Sequence, residues 1–148
     1  MNATLLLADD DPDDRLLVKD ALDEGRLLVD LRQVEDGEEL MDYLHRRGKY
    51  AEPDRSPHPD LILLDLKMPR KSGHQALEEI KANPELRCIP VVILTTSKAE
   101  EDVVRSYDLG ANSFMVKPSA FGALIEAMKT LERYWFELIT LPPERVGR

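Results

Sequence analysis

Five short apolar runs divide the chain: Thr4 to Ala8, Leu28 to Val34, Leu61 to Leu64, Val91 to Leu94, and Ser113 to Val116. Each has the length of a strand. Between them hydrophobic residues recur at helical spacing, as in Leu16, Leu17, Ala21 and Leu22, then Ala76, Leu77 and Ile80, then Val103, Val104 and Tyr107. The Leu61 and Val91 runs are apolar almost throughout, which suits parallel strands covered on both faces. Strand and helix signals in alternation specify a doubly wound α/β domain.

Helix boundaries are signalled independently. Asp11 precedes Pro12, a residue tolerated at the first helical position. Asp36 with Glu39, Ser72 with Gln75, and Ser97 with Glu100 have the spacing of a capping box, in which a side-chain oxygen accepts a free N–H of the first turn. Helix ends are expected at Gly25, Gly48, Asn83 before Pro84, and Gly110. From Gly48 to Pro59 the chain carries three prolines and reads as an irregular surface loop, with a partner contact as the sharper alternative. The polar tail from Pro142 reads as loosely ordered.

With 148 residues the chain suits one domain with a core that needs no disulfide. Its one cysteine, Cys88, makes neither an internal bridge nor a zinc cluster, so a reducing cytoplasm is the simplest setting. Acids outnumber bases 29 to 20, and the densest basic stretch is Arg46, Arg47 and Lys49, which argues against direct nucleic-acid binding. No stretch approaches the ~20 apolar residues of a membrane span, and the N-terminus lacks the basic region of a signal peptide.

In an open parallel sheet, ligands bind at the carboxyl ends of the strands. The residues just after the runs therefore carry most of the functional information. They are Asp9, Asp10 and Asp11, then Asp65, then Thr95 and Thr96, then Lys117 and Pro118. Asp11, Asp13 and Asp14 are accounted for by helix capping and the helix dipole, worth ~0.3–1 kcal/mol each, and are assigned no catalytic role. Asp9 and Asp10 come too early for that. Singly, Asp65 could be a turn residue and Lys117 a solvated charge. Together, four loops deliver carboxylates, a hydroxyl and an ammonium to one edge. That chemistry suits phosphoryl transfer onto a carboxylate, with Mg²⁺ held by hard oxygen ligands, Asp65 as nucleophile, and Thr95 and Lys117 stabilising the equatorial oxygens.

These residues resemble the receiver domain of two-component response regulators. The likeness runs from about Thr4 to Leu138 and rests on Ala8-Asp9-Asp10-Asp11, on Leu64-Asp65-Leu66-Lys67-Met68-Pro69 followed by Ser72-Gly73, on Leu94-Thr95-Thr96, and on Val116-Lys117-Pro118. It implies a flavodoxin-like (βα)5 domain over residues 1–141, with a five-stranded parallel sheet in the order 2-1-3-4-5, five helices and a tail over 142–148. It implies that Asp65 accepts a phosphoryl group from a sensor histidine kinase. Asp9, Asp10, Asp65 and the backbone carbonyl of Lys67 would bind Mg²⁺. Thr95 and Phe114 would act as switch residues, and the Lys117–Pro118 peptide would be cis. Phe114 is also readable as a core aromatic. It stands where the family commonly has tyrosine, and Thr96 where a smaller residue is usual.

Such a module catalyses only its own phosphorylation and dephosphorylation, and is not a turnover enzyme. A phosphorelay intermediate would use the same site. A Mg²⁺-dependent phosphohydrolase of the haloacid dehalogenase type wants a second carboxylate two residues after the nucleophile, and Lys67 stands there instead. A binding module without phosphorylation is disfavoured by the intact set of Asp9, Asp10, Asp65, Thr95 and Lys117. Near the end, Tyr134, Trp135, Phe136 and Ile139 form an aromatic cluster that predicts a homodimer or partner interface. That cluster, the Gly48 to Pro59 insertion and Leu94-Thr95-Thr96-Ser97 resemble the single-domain regulators that partner phytochrome-type histidine kinases.

Overall fold

A computed structural model describes residues 3–133, so the interface residues Tyr134, Trp135, Phe136 and Ile139 and the tail over 142–148 lie outside the described residues. The strands are β1 (Ala3–Ala8), β2 (Val29–Val34), β3 (Leu61–Leu64), β4 (Val91–Thr95) and β5 (Ser113–Val116). They alternate with α1 (Pro12–Glu24), α2 (Gly37–His45), α3 (Gly73–Ala82), α4 (Glu100–Asp108) and α5 (Phe121–Glu132). The sheet is parallel throughout, in the order β2-β1-β3-β4-β5.

Pleating sorts the strand residues onto two cores. Leu6, Ala8, Ile62, Leu64, Val91 and Ile93 pack with α2 and α3 through Leu40, Met41, Tyr43, Leu44, Ala76, Leu77 and Ile80. Leu5, Leu7, Leu61, Leu63, Val92 and Leu94 face the other way, onto Val18, Ala21 and Leu22 of α1 and Leu124, Met128 and Leu131 of α5. All four residues of β3 and all five of β4 are buried, which is why their sequences show no alternation. The edge strands β2 and β5 are mostly half-buried.

Local signals set the helix starts. Asp11 caps α1 by accepting from the Asp13 N–H, with Pro12 in the first turn. Asp36 caps α2, and Ser72 with Gln75 makes a complete capping box on α3. The Ser97–Glu100 pair does not cap α4. That helix starts at Glu100 with Ala99 as its flanking residue, because the Ser97 hydroxyl donates to Asp102 Oδ2 at 2.5 Å and accepts from the Ala99 N–H at 3.3 Å. Gly25 and Asn83 end their helices as expected. α2 instead ends before Gly48, at Arg46 in the left-handed region (φ 55°), and Gly110 (φ +104°) follows the α4 cap Leu109.

The segment from Gly48 to Pro59 is more ordered than a surface loop. It forms two short 3-10 turns, Gly48–Tyr50 and Pro53–Arg55, and buries Ser56 and Pro59. Side chains tie it to α2, with Tyr50 Oη donating to Glu39 Oε2 at 2.6 Å and Tyr43 Oη to the Pro57 carbonyl at 2.7 Å, and Ser56 Oγ braces it internally by donating to the Tyr50 carbonyl at 2.9 Å. The expectation of an irregular surface loop is corrected to this extent: the turns are pinned to α2 by Tyr43 and Glu39.

Candidate functional site

β1, β3, β4 and β5 all end at the same edge of the sheet, and the register of the inner strands places Ala8 opposite Leu64. The next residues, Asp9 and Asp65, therefore emerge side by side. Asp65 N donates to the Ala8 carbonyl at 2.9 Å and Asp9 N to the Val34 carbonyl at 3.1 Å, so neither acid hangs on a free loop. Gly73, at the start of α3, donates its N–H to the Leu66 carbonyl at 2.9 Å and brings that helix hard against the backbone that follows Asp65.

The Asp65 carboxylate is enclosed on several sides. Thr95 Oγ1 donates to Asp65 Oδ1 at 2.8 Å, Lys117 Nζ to Asp65 Oδ2 at 3.3 Å, and the Lys67 N–H reaches Oδ1 at 3.4 Å. Asp65 is 6% exposed and Thr95 fully buried, while Asp10 is exposed. Oxygen atoms of Asp9, Asp10 and Asp65 all lie within 4.8 Å of one another. An all-oxygen set this close would repel itself without a cation, and hard oxygen donors with room for waters fit a divalent ion such as Mg²⁺. The donor chemistry thus fits the metal that the motif implies.

Lys117 is the electrostatic centre of the site. Its Nζ also donates to Asp9 Oδ2 at 2.6 Å and to Asp14 Oδ2 at 2.8 Å. Burial by itself would pull the ammonium down, but the hydrogen bonds to Asp14 and Asp9 and the charges of Asp65 and Asp9 outweigh it and hold the group above the ordinary lysine value. Asp9 is shifted upward as well, but there burial is the cause. Burial raises its carboxyl above the usual carboxylate range, against the lowering effect of Lys117 and the Asp11 N–H.

Asp9, Asp10, Asp65, Lys67, Thr95 and Lys117 are thus brought together as their positions after the strands predict. Phe114 lies on β5, half-buried against the α2–α3 core, and the Tyr107 hydroxyl accepts its outward N–H at 3.1 Å. Two residues were missed. Asp14 is a partner of Lys117 as well as a first-turn acid of α1, and Arg15 Nη1 donates to the Asp9 carbonyl at 2.7 Å. The local dipole reading explained Asp14 without looking across the sheet. One expectation is corrected: no peptide bond among the described residues is cis, so Lys117–Pro118 is trans. Trans is the lower-energy form of an X–Pro bond by about 0.5–1 kcal/mol, and here it is compatible with the Lys117 N–H bonding the Thr95 carbonyl at 2.8 Å.

A parallel 2-1-3-4-5 sheet with this acidic, threonine and lysine edge defines a class, and the chain belongs to the response regulator receiver domain family, whose model matches residues 5–129. It is 41% identical over 138 residues to the response regulator Rcp1 of Synechocystis sp., covering 93% of this chain and 92% of that protein. Among solved structures it is similar to the phosphorylated cyanobacterial phytochrome response regulator RcpA, with 38% identity, a TM-score of 0.88, and coverage of 97% and 100% of the two chains. It is also similar to the Mn²⁺-bound form of Rcp1, with 40% identity, a TM-score of 0.84 and coverage of 95% and 99%. The chain is a response regulator homologous to phytochrome response regulators. No helix among the described residues is long and apolar enough to cross a membrane.

Proposed function

We propose that the chain accepts a phosphoryl group on Asp65 from the phosphohistidine of a sensor histidine kinase, with Mg²⁺ held by Asp9, Asp10, Asp65 and the Lys67 carbonyl. The observation that carries this reading is the environment of one carboxylate. Asp65 Oδ1 is bonded to the Thr95 hydroxyl, Oδ2 faces the Lys117 ammonium, and two further carboxylates approach on the remaining side. An Asp65 oxygen attacks phosphorus in line with the imidazole nitrogen. The new O–P bond forms as the N–P bond breaks, and the departing imidazole keeps the bonding electron pair. Lys117 and the Thr95 hydroxyl then bond the equatorial oxygens, where charge spreads in the transition state. When bound, the cation supplies positive charge to those same oxygens.

Thr95 must leave Asp65 Oδ1 to reach a phosphoryl oxygen, which would draw on the β4–α4 connection, and Phe114 responds as the neighbouring switch residue. The likeness to phytochrome response regulators supports a phytochrome-type kinase as the donor. The aromatic cluster Tyr134, Trp135 and Phe136 with Ile139, read from the sequence, supplies the homodimer contact. The test is labelling by acetyl phosphate or kinase in Mg²⁺, with the label acid-stable and base-labile. Asp65→Asn should abolish it, and undiminished label in that variant would overturn the assignment. Light scattering with and without beryllofluoride tests the switch, which an unchanged mass would refute.

A further inference from the structure

Lys117 has three N–H bonds and three carboxylates to receive them: Asp9 at 2.6 Å, Asp14 at 2.8 Å and Asp65 at 3.3 Å. Two of the three belong to the oxygen cluster suited to a cation, and Asp14 does not. Asp14 stands in the first turn of α1, on backbone anchored by the Asp11 cap and Pro12. Its neighbour Asp13 is equally placed for the helix dipole, but only Asp14 reaches the lysine, 103 residues away in sequence. Beside the pair, Leu17, Val18, Leu94, Pro118 and Leu124 bound a small cavity of about 40 Å³. Apolar walls limit the water that competes for the ammonium, so an acceptor oxygen at this position, charged or neutral, holds it more firmly than on open surface.

We propose that Asp14 is a positioning residue for phosphoryl transfer, tethering the Lys117 ammonium beside Asp65 while its other partners change. The proposal rests on Asp65 being the acceptor. In that reaction Asp65 surrenders a charged oxygen to the new bond, and Asp9 would be shared with the cation it helps to hold. Asp14 undergoes neither change. Its bond is the one that persists, keeping a long and otherwise mobile side chain within reach of the incoming oxygens.

The test compares Asp14→Ala with Asp14→Asn in the full chain. Asparagine keeps an acceptor oxygen of the same reach and loses the charge, whereas alanine loses both. Labelling by saturating acetyl phosphate should slow about five- to tenfold in Asp14→Ala and less than about twofold in Asp14→Asn, with the half-saturating Mg²⁺ concentration unchanged in both. Nitrogen NMR of the metal-free protein should show a resolved, slowly exchanging Lys117 ammonium in the wild type and Asp14→Asn, lost to exchange in Asp14→Ala. A wild-type labelling rate in Asp14→Ala would overturn the proposal. So would equal slowing of the two variants, which a helix-dipole role predicts because both lose the charge. Label surviving in Asp65→Asn would overturn the acceptor assignment instead, and the ammonium signal would still report on the tether.

Discussion

Replacing Gly73 by alanine should separate the packing of this site from its chemistry. A Cβ on Gly73 would lie 2.2 Å from the Asp65 carbonyl oxygen, 2.6 Å from Leu66 Cα and 3.0 Å from the Asp65 carbonyl carbon. Ordinary contact begins near 3.4 Å, so backbone must retreat by 3.4 − 2.2 = 1.2 Å. No flexible side chain is there to yield. Overpacking of this kind costs about 1–3 kcal/mol. Loss of the Gly73 N–H bond to the Leu66 carbonyl adds about 0.5–1.5 kcal/mol, and alanine's helix propensity returns at most about 1 kcal/mol. The net expectation is about 1–4 kcal/mol of destabilisation, a fall of roughly 1 M in the urea midpoint. The control is Gly122→Ala in α5, where a Cβ meets nothing within 4 Å and the same change should be neutral or stabilising by up to about 1 kcal/mol. Because the displaced atoms belong to Asp65 itself, labelling of Gly73→Ala should also slow, by up to about a hundredfold for an ångström of misplacement. Equal urea midpoints for Gly73→Ala and the wild type, or equal shifts in the two alanine variants, would refute the reasoning.

Two further outcomes follow from the geometry. Adding Mg²⁺ to metal-free protein should raise its unfolding free energy by about 2.7 kcal/mol at a hundred times the dissociation constant. Asp10→Asn should lose most of that gain in a thermal melt with and without chelator, and an undiminished gain would remove Asp10 from the ligand set. His74 in α3 meets Ser106 Oγ of α4 at 2.9 Å, and burial, followed by the nearby Arg105 charge, holds its imidazole below the ordinary value of 6.5. The unfolded chain therefore binds this proton first, and stability is fully present above pH 6.5 and lost as pH falls through the depressed value. His74→Gln should flatten the stability profile below that pH in urea titrations, by at most about 1.4 kcal/mol per pH unit. Identical slopes would show that the α3–α4 contact does not titrate.

The strands and the acidic edge were legible because both are written locally. A run such as Leu61 to Leu64 has no polar residue to spare for solvent, and Asp65 follows it directly, so apolar strand and acidic edge appear in adjacent letters. Ser72 with Gln75 was legible for the same reason, and the capping box it forms is complete. What escaped depends on residues far apart in sequence or on rival partners. Asp14 satisfies a helix dipole and a lysine just after β5, 103 residues on, and only the first is visible from its neighbours. Ser97 has the spacing of a cap, but Asp102 takes its hydroxyl and the helix begins elsewhere. The Gly48 to Pro59 segment carries loop composition, yet its order comes from bonds to Tyr43 and Glu39 of α2, which only the fold brings beneath it.

The ion pair between Lys117 and Asp9 spans 108 residues and joins the end of β5 to the end of β1. Between those two strands in the sheet lie β3 and β4, so the pair forms only when the inner strands are in register. A nascent chain still emerging from the ribosome holds Asp9, Asp10 and Asp65 long before it holds their lysine. Its carboxylates then stand without the ammonium that bonds Asp9 and Asp65 in the folded chain. The carboxylate edge is thus assembled in two stages, with the ammonium joining only once β5 has paired with β4.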